Sequence, residues 1–140
     1  MSLFLPVRRA TLLVPSGPAH DPDRKHLFIL ITDPVSVPES TEKHILMVST
    51  STVKTGIPHD PTCLIYPGDH PFIKHNSFIS YRTARIEEAP KLLKGVSSGL
   101  LVPQGTIDGG IVARICKGLA ESRQTAPKIL RFYEIYNTHT

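Results

Sequence analysis

No apolar run in this sequence approaches the ~20 residues needed to cross a bilayer, so no membrane-spanning helix and no membrane partner are expected. Met1-Ser2-Leu3-Phe4-Leu5-Pro6 is too short, and lacks the basic start, for a secretory signal. Cysteine is scarce. Cys63 and Cys116 stand alone with no C-x-x-C pair, so buried reduced thiols are expected rather than a disulfide framework. These absences together favour a cytoplasmic protein. Nucleotide signatures are missing too. There is no G-x-x-x-x-G-K-[ST] loop and no G-x-G-x-x-G, and Thr106-Ile107-Asp108-Gly109-Gly110 resembles neither. Ser97-Ser98-Gly99 is not a G-x-S-x-G elbow, which disfavours a serine hydrolase. No internal repeat or low-complexity tract interrupts the chain.

What is present fits one domain spanning residues 1–140. The hydrophobic fraction of 40% and charged fraction of 20% are those of a folded chain, not a disordered one. Thirteen prolines argue for short elements joined by many turns. A net charge of +4 favours anionic partners, nucleic acid first, although that balance alone is equally compatible with no such partner.

Continuous apolar runs between turn signals predict strands over residues 8–14, 25–32, 44–50, 62–66 and 77–86. Residues 25–32 read as a central strand buried on both faces. Residues 87–94 suggest a short helical turn broken by Pro90. From 108 to 123 the period changes to that of a helix, with Ile111, Ile115 and Leu119 on one face and Arg114, Lys117 and Glu121 opposite. Asp108 or Thr106 is the expected cap. Residues 129–135 alternate well enough for a final strand. The resulting fold class is β-rich α+β: a small barrel or half-barrel with one main C-terminal helix against an opening.

Chemistry-bearing side chains are densest between His59 and Arg85. The stretch holds His59-Asp60, then Gly68-Asp69-His70-Pro71-Phe72-Ile73-Lys74-His75, then Arg82 and Arg85. Cleaving a phosphodiester needs a base for the attacking 2′-hydroxyl, an acid for the leaving oxygen, and a cation for the charge gathering on phosphorus. His75 with Arg85 or Arg82 meets that description. The plainer alternative is that His70 and His75 only anchor a proline-containing turn. His59, Cys63, Asp69, His70 and His75 are metal-ligand types, but their spacing matches no zinc signature, so neither metal nor other cofactor is expected. The basic triplet Arg24-Lys25-His26 precedes a strand and is suited to holding phosphate, or is simply a solvated loop. The hydroxyl cluster Ser49-Thr50-Ser51-Thr52 is a further phosphate-binding candidate, or ordinary strand sequence. Even spacing along 77–86 places Ser77, Tyr81, Thr83 and Arg85 on one face and Arg82 on the other, so one arginine at most should face a given groove.

The order of these segments resembles the PemK/MazF family of toxin ribonucleases, over roughly residues 12–123. The carriers are Arg24-Lys25-His26-Leu27-Phe28-Ile29-Leu30-Ile31, Val48-Ser49-Thr50-Ser51-Thr52, Pro61-Thr62-Cys63-Leu64-Ile65, Ser77 through Ile86, and the helix from Ile111 to Leu119. Lys25-His26 stands where the family carries an Arg-Pro pair, and Pro67 to His75 has no counterpart. The resemblance implies an SH3-like barrel and a metal-independent endoribonuclease of a toxin–antitoxin pair, cutting single-stranded RNA, restrained by a cognate antitoxin protein, with a homodimer as one form. It implies Arg85 for the charged phosphorane and Thr50 or Thr52 for phosphate, with His75, Asp69 or His26 as acid and base. Lys25, Arg24, Lys74 and Arg82 would bind RNA. The alternatives are a non-catalytic SH3-like binding module, a decayed toxin homologue, or a ligand-binding barrel.

Overall fold

Residues Lys25 to Leu30 alternate into two separate apolar clusters, and this double burial organises the whole molecule. Leu27 and Ile29 enter one cluster; Phe28 and Leu30 enter the other. A strand buried on both faces must sit inside a sheet, as the sequence predicted. In a computed structural model, which describes residues 4–15 and 25–137, this strand is β2 (Lys25–Leu30). β1 (Ala10–Pro15) and β3 (His44–Thr52) flank it, both antiparallel. β3 repeats the alternation, sending Leu46 and Val48 to one side and Ile45 and Met47 to the other. β4 (Leu64–Ile65), β5 (Ser77–Glu88) and β6 (Val102–Thr106) complete a curled six-stranded half-barrel in the order β4-β5-β3-β2-β1-β6.

Among the described residues three helices cover the sheet, where one main helix and a short helical turn were expected. α1 (Ala89–Ser97) places Ala89 and Leu92 in the Phe28 cluster. Pro90 does not break it. Proline costs nothing in a first turn, where its missing N–H has no partner anyway, and there Pro90 starts the helix. α2 (Gly109–Glu121) follows the expected period and buries Ile111, Ile115 and Leu119 in the Leu27 cluster. Asp108 is its cap, accepting the Gly110 N–H at 2.9 Å. Gly118 lets α2 approach the sheet where Tyr81, fully buried, donates its hydroxyl to the Ile115 carbonyl at 2.7 Å.

The strand expected at 129–135 is instead α3 (Pro127–Tyr136). Its buried residues Ile129 and Phe132 are three apart, a helical interval that packs against the α2 side of the sheet. Pro127 again occupies the first turn.

The two edges of the half-barrel are joined by one side chain. His70, in the loop after β4, is 3% exposed. Its Nδ1 accepts the Phe72 N–H at 3.0 Å, which leaves the proton on Nε2. Nε2 donates to the Gln104 carbonyl of β6 at 2.9 Å and lies 3.1 Å from Thr11 Oγ1 of β1. His70 is therefore the turn anchor that the plainer reading proposed. No helix among the described residues is long and apolar enough to cross a membrane.

Candidate functional site

The decisive local feature is a bulge in β5. Ser49 of β3 faces Ser80, but Met47, two residues earlier, faces Arg85. β5 therefore carries three residues more than β3 between those pairs, an odd number that reverses the alternation beyond it. Ile79 and Tyr81 point into the helix-side cluster, and so do Ala84 and Ile86. Ser77 and Arg85 thus lie on opposite faces, contrary to the even-spacing argument. The bulge also brings Arg82 to the same cavity as Arg85, where only one arginine was expected.

Local bonds hold this arrangement. Thr83 Oγ1 sits 2.9 Å from both Ser49 Oγ and Ser80 Oγ, tying the bulge back to β3. The Arg85 guanidinium rests over the Phe28 ring, 4.4 Å from its centroid, a contact that restrains the position of the cation. Neither arginine has a carboxylate partner among the described residues. Among the described residues the one ion pair is Glu87–Lys91.

The cavity around the arginines has a volume of about 580 Å³ and is completed by His26, His59 and Asp60. The His59 ring leans on Phe78 with centroids 5.3 Å apart. Asp60 is buried and serves as a clamp. It accepts from the Thr62 amide at 3.0 Å, the Thr62 hydroxyl at 2.5 Å and the Ser122 hydroxyl at 2.6 Å, joining the His59 loop to the end of α2. Burial works against its charge, but the Ser122 and Thr62 donors, with a smaller attraction from His59, prevail and hold the carboxyl below its ordinary 3.8. A depressed native value contributes stability above the unfolded value and loses it as pH falls through the folded one. Asp60→Asn should therefore lower stability by on the order of 1 kcal/mol at pH 7. The gap should narrow as pH falls below the ordinary 3.8 towards the folded value. Urea unfolding at pH 7 and in acid checks this; a gap independent of pH would show that the charge is immaterial.

A second cavity of about 640 Å³ adjoins the first, sharing His26, Ser51, Pro58, His59 and Phe78 with it. The residues singled out in the sequence divide between the two. Arg82 and Arg85 lie in the first; Lys25, Lys74, His75, Thr50 and Thr52 lie in the second. Arg24 falls outside the described residues. His75 is therefore not beside Arg85 in one cavity. His26 and His59 are, because both cavities share them. Asp69 is committed elsewhere, accepting the Tyr66 amide at 2.8 Å in the turn after β4. His59 and Asp60 were visible in the sequence as part of the polar stretch, but nothing there tied them to the arginines.

The candidate metal ligands are dispersed. Cys63 is buried in the helix-side cluster, where burial pushes its thiol upward. Among the described residues no three His, Cys, Asp or Glu side chains come together as a metal site. Cys116 is likewise buried and unpaired. Tyr133 is pushed up to about 12, chiefly by burial and then by its contact with Cys116. No family model, no curated protein and no solved structure matches this chain.

Proposed function

We propose that this protein is a metal-independent endoribonuclease for single-stranded RNA, built on an SH3-like barrel of the PemK/MazF kind and restrained by an antitoxin protein. The observation that carries the reading is the meeting of Arg82, Arg85, His26 and His59 in one open cavity. Two cations with no carboxylate partner among the described residues suit a phosphodiester. Imidazole is the side chain best able both to take and to give a proton near neutral pH.

In this mechanism one histidine removes the proton from a ribose 2′-hydroxyl, whose oxygen attacks the adjacent phosphorus. The bond from phosphorus to the 5′-oxygen breaks, and the other histidine protonates that oxygen. The products are a 2′,3′-cyclic phosphate and a 5′-hydroxyl. Arg85 and Arg82 offset the charge on the phosphorane oxygens. Ser49, Ser51, Ser80 and Thr83 supply hydroxyls at the same surface, a role the sequence had given to Thr50 and Thr52.

The test is cleavage of a mixed-sequence single-stranded RNA in excess EDTA. Cutting with cyclic-phosphate ends is expected, and a DNA of the same sequence should remain intact because it lacks the nucleophile. Cleavage abolished by EDTA would overturn the metal-free chemistry. A protein that cuts no RNA at any salt concentration would be a binding module instead.

A further inference from the structure

The adjoining cavity differs in character from the arginine cavity. Among the described residues its lining includes Lys25, Lys54 and Lys74 and no Asp or Glu, so it favours negative charge. None of the three lysines is ion-paired to a described residue. Its mouth also carries apolar side chains that folding has left in water: Ile57 is 59% exposed and Phe72 38%. Exposed Phe and Ile beside lysines, with no Asp or Glu among the described residues of the lining, call for a ligand that is both anionic and flat. A double helix hides its base faces; an unpaired nucleotide presents one.

We infer that this cavity is a base-stacking subsite, in which the nucleotide next to the cleaved phosphate lays its base against Phe72 and Ile57 while Lys74 and Lys54 hold its phosphate. The inference rests on the ribonuclease reading for what happens next door, but not for the binding itself. Continuity supports the path. His59 and Phe78, ring against ring, belong to both cavities, so a strand leaving Arg85 passes them to reach Phe72. The subsite also explains why the substrate must be single-stranded: cleavage in one cavity requires an unpaired base in the other. Phe72 is held by its backbone, since its N–H donates to His70 Nδ1 at 3.0 Å. Its ring can therefore be changed without unfastening the loop.

The experiment measures binding of a fluorescein-labelled single-stranded dodecaribonucleotide, 2′-O-methylated so that it cannot be cut, against the same strand annealed to its complement as a blunt duplex. Phe72→Ala is expected to weaken single-strand binding by at least about fivefold. Phe72→Trp should bind at least as tightly as wild type. Lys74→Ala should reduce the slope of log K against log salt by about 0.7. The duplex should bind more weakly than the single strand and should not respond to Phe72→Ala. Equal binding of duplex and single strand, or Phe72→Ala binding as wild type does, would overturn the subsite. Displacement of the RNA by an oligoglutamate peptide of equal charge at equal concentration would overturn it also, since a flat base would then be irrelevant. If the wild type binds as described but cuts no RNA, the subsite stands and the ribonuclease falls. If it cuts RNA while Phe72→Ala binds normally, the ribonuclease stands and the subsite falls.

Discussion

Replacing Arg85 with alanine is expected to slow RNA cleavage by about 10²–10³-fold while barely changing RNA affinity. The side chain is half-buried and stacked on Phe28, so its charge is already aimed before substrate arrives. A preoriented cation contributes most when charge on the phosphorane oxygens is greatest, and hence to turnover more than to binding. Arg85→Lys should not restore the rate, because an ammonium has neither the planar fork nor the stacking face of a guanidinium. Arg82 comes from the bulge and is exposed. Arg82→Ala should instead weaken binding modestly and reduce its salt dependence, and Lys25→Ala should behave alike. Cleavage and binding measured side by side check all four variants. An Arg85→Ala protein that cuts as fast as wild type would remove Arg85 from the mechanism while leaving the ribonuclease reading intact.

Gly118→Ala is expected to destabilise the fold by about 2–4 kcal/mol. Glycine to alanine within a helix ordinarily gains ~1 kcal/mol, so the expected sign is reversed by the surroundings. A Cβ at Gly118 would lie 2.8 Å from Tyr81 Cζ and 3.2 Å from Thr62 Cγ2, and closer still to Tyr81 Oη. Tyr81 is fully buried and has nowhere to go. Moving it would break its buried hydroxyl's bond to the Ile115 carbonyl. Urea midpoints give the loss. In a Tyr81→Phe background the alanine should cost less by ~1 kcal/mol or more, because the nearest atom is gone. Equal costs in both backgrounds would show that Tyr81 is not the obstacle.

The sequence made the central strands legible because their apolar runs are long and their turns sharp. Leu27 to Leu30 and Ile45 to Val48 fill both faces of the sheet, and only a central position allows that. α2 was equally plain from Ile111, Ile115 and Leu119. α3 was misread because Ile129 to Ile135 is too short for its period to separate from alternation. Pro127 was the better signal, since a proline just before an apolar stretch suits a first helical turn. Pro90 carried the same message at α1.

The site was less legible for a different reason. Alternation predicts facing only while the register is kept, and the β5 bulge contains no glycine to announce it. It is held by the Thr83 hydroxyl reaching Ser49, a long-range contact no local pattern encodes. His26 and His59 meet the arginines through folding alone.

The pairing of β1 with β6 has a consequence for how this protein is made. Thr11 and Gly105 touch across that pair, yet 94 positions of chain separate them. At roughly 5–20 residues per second, a ribosome needs about 5–20 s to deliver the second partner after the first. Throughout that interval the outer edge of Thr-Leu-Leu-Val, from Thr11 to Val14, has no strand beside it, and an apolar edge of that kind pairs readily with other chains. Aggregation risk is thus concentrated in the nascent chain, and slower translation between β3 and β6 would prolong it.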